Sequence, residues 1–224
     1  MRSLAFLLII LAAPLQAAEL VRVPYSTLAQ TLSERIDFEQ FPSQLSPGIN
    51  QDAPLVFEGA TLGERFAGQV AGEAAFFDTL SGAPEPGLVI RPGAPGQNLT
   101  ITHIYFQTNQ LQGLGPSGYP TRDAGGEGAI AILFEQDQQA FGLKVSAELR
   151  PDTPEPKGTM TITAHRRDGS VIDRIRVPLD WGRNGYGFAR PGDEDDIAGI
   201  TIENRDPGGI AIDDIIFDLR RAGS

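Results

Sequence analysis

Short runs of strand-forming residues, each cut off by glycine or proline, set the main limit on what this chain can fold into. Glycine occurs 26 times and proline 17 times in 224 residues, and they fall between the apolar runs, where they mark turns. Several runs alternate, as in Thr159-Met160-Thr161-Ile162-Thr163-Ala164 and from Val171 to Val177. Alternation of this kind predicts strands with one face on a core and the other in water. Strands are expected at 35–38, 55–58, 88–91, 99–108, 129–135, 140–149, 159–165, 171–179, 186–189, 197–203 and 210–219. Asp168-Gly169, between two of them, predicts a tight hairpin turn. The one helical segment expected runs from a Ser26 cap to Glu34. Helices do not alternate with the strands, which argues against a doubly wound α/β fold. The expected fold is therefore all-β, a two-sheet antiparallel β-sandwich of jelly-roll type.

The N-terminus reads as a secretory leader. Arg2 is followed by an unbroken apolar run from Leu4 to Ala13, then Pro14 and the small residues Ala17 and Ala18. That run is too short to span a bilayer and has the flanks of a signal peptide. The expectation is a signal peptide over residues 1–18, with cleavage after Ala17 or Ala18. A single domain over 19–224 would follow, since no internal repeat or break in composition divides the rest. The mature chain would be exported, periplasmic or extracellular, with no membrane anchor, since no later apolar run is long enough to span. The chain has no cysteine, so neither a disulfide nor a thioether-linked lipid is available to it. A formal charge of -11 repels phosphate backbones and anionic membranes, which disfavours nucleic acid as a partner. The proline-rich stretch from Arg150 to Lys157 and the segments 85–96 and 112–128 read as surface loops. The last is long enough to carry function.

The closing run from Ile210 to Leu219 contains two adjacent acids, Asp213 and Asp214, among strong strand formers. Strict alternation puts Asp213 on one face with Ile215, Phe217 and Leu219, and Asp214 on the other with Ile212, Ile216 and Asp218. The first set is the more apolar, so Asp213 is expected to point at or near the core. A carboxylate there needs a cation or a set of hydrogen-bond donors. Asp37 and Glu39, near the start of the mature domain, would approach it if the first and last strands are neighbours. One reading is a structural Ca²⁺ held by Glu39 and Asp213, with Asp37 and Asp214 as further ligands, because calcium accepts scattered oxygen ligands. The other is that Asp213 pairs with an arginine or caps a backbone turn.

The early Asp37-Phe38-Glu39 and the closing Gly208-Gly209-Ile210-Ala211-Ile212-Asp213-Asp214-Ile215-Ile216-Phe217 resemble the ends of galactose-binding-like, carbohydrate-binding jelly-roll modules. That resemblance implies a structural calcium between a glutamate of the opening strand and an aspartate of the closing one. It covers about a tenth of the chain. The chain is also similar to a group of uncharacterised secreted bacterial β-sandwich proteins, through the stretches 59–69, 126–134 and 166–170. No activity comes with that likeness.

Other motifs carry less. Asp193 to Asp196 lacks an oxygen ligand at Ile197 and reads as a solvated turn. His103 and His165 are the only histidines, both within strand patterns, which excludes a His-rich zinc site. No Gly-x-Ser-x-Gly elbow is present. Glu135 and Asp137 share one face of a strand, but Gln139 stands where a sandwich glucanase would carry a third acid. The segment from Leu179 to Phe188 reads as loop-rich. In it, Trp181 and Tyr186 would stack on a sugar ring, with Arg183 and Asn184 bonding its hydroxyls. The alternative is that Trp181 plugs the end of the sandwich. The function expected is a non-catalytic exported β-sandwich that is calcium-stabilised and binds glycan or cell-surface material. The alternatives are a structural or adhesive protein with protein partners, or a polysaccharide-active enzyme.

Overall fold

The structure, a computed structural model, describes residues 20–104, 107–147, 158–192 and 194–219. The expected leader, the stretch 150–157, Tyr105 and Asp193 lie outside the described residues. In chain order the strands begin with β1 (Val21–Val23), then a single helical turn α1 (Tyr25–Leu28), β2 (Glu34–Ile36), β3 (Ile49–Gln51), β4 (Leu55–Phe57) and β5 (Ala60–Gly63). Next come β6 (Arg65–Phe66), β7 (Val70–Ala74), β8 (Phe77–Ser81), β9 (Ile90–Arg91), β10 (Leu99–Ile104) and β11 (Thr108–Gly113). A 3-10 turn at Arg122–Ala124 precedes β12 (Ile130–Gln138), β13 (Ala140–Ala147), β14 (Thr159–His165) and β15 (Val171–Pro178). The chain closes with β16 (Gly182–Ala189), β17 (Ile197–Asn204) and β18 (Ile210–Phe217).

Two antiparallel sheets form the sandwich. Sheet A runs β1-β16-β13-β18-β11-β10-β3, with β2 added on β18, and sheet B runs β15-β14-β17-β12-β5-β4. From β12 to β18 the chain passes repeatedly between the two, as a jelly-roll does. Their inner faces enclose one core, in which Phe134 of sheet B meets Phe141 and Phe217 of sheet A at centroid separations of 6.1 and 5.5 Å. Each such buried aromatic or aliphatic side chain stabilises the fold by about 1.5–3 kcal/mol.

Three local expectations are corrected. The run 99–108 is split into the hairpin strands β10 and β11, and the chain turns at Gln107, whose φ is 56°. The helix expected over 26–34 is one turn, capped by Pro24, because Glu34 already pairs in β2. The strand expected at 186–189 begins earlier, at Gly182 within the segment 179–188 read as loop-rich, and pairs with β13 along its length. Its glycines reflect a close approach rather than a loop. A Cβ on Gly185 would stand 2.7 Å from Tyr25, and one on Gly142 of the next strand would stand 3.0 Å from the same ring. The hairpin at Arg166–Ser170 forms as expected, with the Gly169 amide bonded to the Arg166 carbonyl and φ of 87° at Gly169.

Candidate functional site

The site grows from an irregularity in β18. Opposite β13 the register reads Gly142 to Ile216 and Lys144 to Asp213, so β18 holds one residue more than its partner. That extra residue is a β-bulge. Asp214 sits in it with φ of 43°, a left-handed conformation that Asp tolerates better than β-branched residues. The bulge resets the alternation, so Ile212, Ile215 and Phe217 all face the core. Asp213 is therefore not on the core side, as strict alternation would have it. It lies on the outer face of sheet A, yet only 1% exposed.

Charges and hydroxyls converge there. Arg183 Nη2 lies 2.5 Å from Asp213 Oδ2 and 2.9 Å from Asp214 Oδ2, and Lys144 Nζ is 2.5 Å from Asp214 Oδ2. Arg35 approaches Asp214 at 3.9 Å. Asp213 Oδ1 accepts a bond from the Asp214 amide at 2.7 Å, which pins the bulge. β2 pairs with β18, so the first acids do lie beside the last strand. Thr108 joins the two sets: its hydroxyl is 2.5 Å from Glu39 Oε1 and 3.1 Å from Asp213 Oδ2. Glu39 Oε1 also accepts the Asn109 amide at 3.0 Å. Asp37 is exposed and caps the Glu39 amide at 3.2 Å. Tyr25 closes the cluster: its hydroxyl donates to the Asp214 carbonyl at 3.0 Å while Lys144 lies over its ring.

Electrostatics separate the two neighbouring acids. Burial raises the Asp213 carboxyl to about 6, with the Asp214 charge adding to it against the Asp214 amide and Arg183. Asp214 is also penalised by burial, but the Lys144 hydrogen bond and charge, with Arg183 and Arg35, hold it below the ordinary carboxylate range. Burial and the Asp214 charge push the Tyr25 hydroxyl up to about 12. A calcium cage needs six or more oxygens around one point. Among the described residues, no three His, Cys, Asp or Glu side chains are grouped to hold a metal. The side chain that meets Asp213 in this arrangement is Arg183.

The aromatic pair separates. Trp181 is 42% exposed, so it does not plug the sandwich. Its carbonyl accepts a bond from Asn184 Nδ2 at 2.8 Å. Tyr186 is 2% exposed, with its ring in the main core and its hydroxyl bonded to the Asp180 amide. It is therefore not part of a surface platform, because the strand alternation of β16 turns it inward with Phe188. Arg183 faces outward on β16 beside Ser146 of β13. Arg183 Nε and Ser146 Oγ have no hydrogen-bond partner among the described residues.

Lys144, Thr108, Ser146 and Tyr25 escaped the sequence reading. Lys144 alone gave a signal, as one of the chain's two lysines placed inside an otherwise apolar strand. The remaining polar motifs are structural: Asp137 pairs with Arg167 at 2.5 Å, Asp196 with Arg166 and Arg190, and His103 with Asn109.

No protein-family model matches the chain, and no curated protein matches it. Two solved structures show a partial likeness. The enzymatically active domain of bacteriophage CBA120 tailspike protein 4 is 17% identical, over 55% of this chain and 18% of that one, with a TM-score of 0.31. The arabinose-bound MgGH51 α-L-arabinofuranosidase is 12% identical, over 54% of this chain and 21% of that one, with a TM-score of 0.30. The chain thus spans about a fifth of the length of either.

Proposed function

We propose that this chain is a non-catalytic, exported carbohydrate-binding β-sandwich whose ligand stacks on Trp181. The observation that carries the reading is the exposure of that side chain. The only tryptophan of the chain turns 42% of its surface to solvent at the mouth of β16 instead of filling the core. An exposed indole is a natural seat for the apolar face of a sugar ring. Arg183 and Asn184, two and three positions on, supply hydrogen-bonding groups for the hydroxyls at its rim. The acidic chain favours a neutral glycan over an anionic one, and the leader pattern favours export.

A glycan array probed with the wild type and with Trp181→Ala tests this. Retention of neutral glycans that drops at least tenfold in the variant is the expected result. Equal retention by both proteins, or none by either, overturns it. The enzyme reading has one observation in its favour, the opposite shifts of Asp213 and Asp214, since acid and base pairs are tuned apart in this way. Asp213, however, is sealed under Arg183. Turnover on a polysaccharide panel that Asp213→Asn abolishes would establish that reading instead.

A further inference from the structure

Sheets A and B each end on strands with one unpaired edge, and such edges invite pairing with another chain. These ends are blocked. On sheet A, β1 carries Arg22, and β3 is three residues long and follows Pro47. On sheet B, β4 is three residues long and follows Pro54, while β15 carries Asp173, Arg174 and Arg176 and ends on Pro178. Shortness, charge and proline are the usual defences of an edge. The strand β7 is built differently. It runs Val70-Ala71-Gly72-Glu73-Ala74, pairs only with β8, and has no bulge, proline or basic residue. Val70 is 63% exposed, and Phe76 at the hairpin tip is 49% exposed.

Hydrogen bonds fix which way this edge faces. On β8 the Asp78 amide donates to the Glu127 carbonyl at 3.1 Å and the Leu80 amide to Glu203 Oε1 at 3.0 Å. These two residues therefore bond the body of the sandwich. Backbone groups point alternately to the two sides of a strand, so Phe77, Thr79 and Ser81 bond β7. Their partners there are Ala74, Gly72 and Val70. The amides and carbonyls of Ala71 and Glu73 are left directed outward. The hairpin is anchored through β8 and open along β7.

We infer that β7 pairs antiparallel with β7 of a second copy of this chain, about a two-fold axis at Gly72. In that register Ala71 lies opposite Glu73 of the second copy and Glu73 opposite its Ala71, each pair exchanging both outward groups. Any other register that keeps the outward groups paired loses one of these pairs, and one such shift sets Glu73 against Glu73. The alternate positions put Val70 across from Ala74 and Gly72 across from Gly72, an unbroken strip of apolar residues. The only charge of the strand has an alanine opposite, so like charges are not directly paired. An edge matched to itself in this way selects a second copy over an unrelated peptide. Contact along one short edge is small, so the dimer is a transient one of micromolar to millimolar affinity. The formal charge of -11 opposes it, and added salt should tighten it.

Sedimentation velocity of the full chain, from micromolar to millimolar concentration, should show a monomer–dimer equilibrium. Ala71→Pro removes an outward amide and leaves the bonds to β8 intact, since proline is tolerated where the N–H of an edge strand faces solvent. It should weaken the dimer at least tenfold and leave the thermal melt unchanged. Val56→Ser, at an exposed apolar position on β4, should leave the dimer as it is. The chain has no cysteine, and a Cβ on Gly72 would meet only Thr79, its hydroxyl at 3.2 Å. Across the two-fold axis the two Cα atoms at position 72 would stand about 4.5 Å apart, within disulfide reach. Gly72→Cys should therefore oxidise to a covalent dimer at least tenfold faster than Val70→Cys. A chain that stays monomeric at millimolar concentration, a dimer untouched by Ala71→Pro, or equal cross-linking at positions 70 and 72 overturns the inference. Capture of an extended peptide by a chain that never dimerises overturns it as well.

Discussion

The two sheets of this sandwich hide their outer faces with different mixtures of apolar and polar groups. Outside sheet B, Phe66, Leu88 and Ile90 close over Ala131 and Ala198, a small apolar cluster with the ring of His165 set edge-on to Phe66 at 5.5 Å. Outside sheet A, part of the cover is apolar too, where Leu28 meets Ala140 and Ile216. The rest is a bulge with two aspartates, two arginines, a lysine and a row of hydroxyls and amides. A fold of this kind gains stability from the first sort of cover, since burying apolar area is favourable without any geometric demand. The second must match every charge and donor, and gains little if it succeeds. Sheet B buries polar side chains as well, Thr163, Thr201, Glu203 and His165 among them; what sets the outer face of sheet A apart is that two adjacent aspartates meet an arginine and a lysine at a bulge.

Mutation should expose the contrast. Phe66 is fully buried, so Phe66→Ala should cost about 3–5 kcal/mol in a urea melt, by lost transfer energy and a cavity. Arg183→Leu should cost about 3 kcal/mol at neutral pH, since it strands a buried Asp213, and Arg183→Leu with Asp213→Asn should recover most of that. On sheet B no second substitution of this sort should rescue Phe66→Ala. If the sheet A double variant is as unstable as Arg183→Leu alone, the ion pair is not what Arg183 contributes.

Protonation sharpens the comparison at a smaller scale. Asp213 is raised in the folded state to about 6 from an ordinary value of 3.8, so between about pH 4 and 6 the native state binds more protons than the unfolded one. Its contribution therefore falls as pH rises through that window and is level above it, a change of roughly 2–3 kcal/mol. Asp78 and Glu127, raised by burial to about 6 and about 7, tilt the same way, while His165, lowered by burial to about 4, tilts the other. The quantity to measure is thus wild type minus Asp213→Asn, by denaturant melts from pH 4 to 7. A flat difference would mean that Asp213 is charged in the native state throughout.

Much of the fold was legible because strand alternation and Gly/Pro punctuation are local. Val171 to Val177 and Asp168-Gly169 carry their own instructions, and β14, β15 and their hairpin formed where expected. The bulge at Asp214 was not legible, because period-two counting assumes an unbroken ladder. Ile212 and Ile215, three apart yet both apolar, were the trace it left. The glycines of β16 misled for a related reason: what requires Gly185 and Gly187 is the segment from Val23 to Leu28, more than a hundred residues earlier. The convergence of Glu39 with Asp213 was foreseen in its neighbourhood, although the early strand beside β18 is β2 and the first strand, β1, pairs with β16. The identity of their partners was not, since Arg183 and Thr108 reach them only through tertiary contact.

Calcium supplies the smallest expected effect and separates the two readings of Asp213 most cleanly. With Arg183 2.5 Å from Asp213 and Lys144 2.5 Å from Asp214, the acids already hold fixed cations of the protein's own. A divalent ion binding only the native state would raise stability by about 2.7 kcal/mol at a hundredfold excess over its Kd, several degrees in a melt. An arginine needs no such addition. Protein loaded with calcium and then treated with EDTA should keep its melting temperature, and Arg183→Leu should lose stability equally in calcium and in EDTA. A fall of several degrees on chelation would move the metal to the centre of the bulge and Arg183 to its margin.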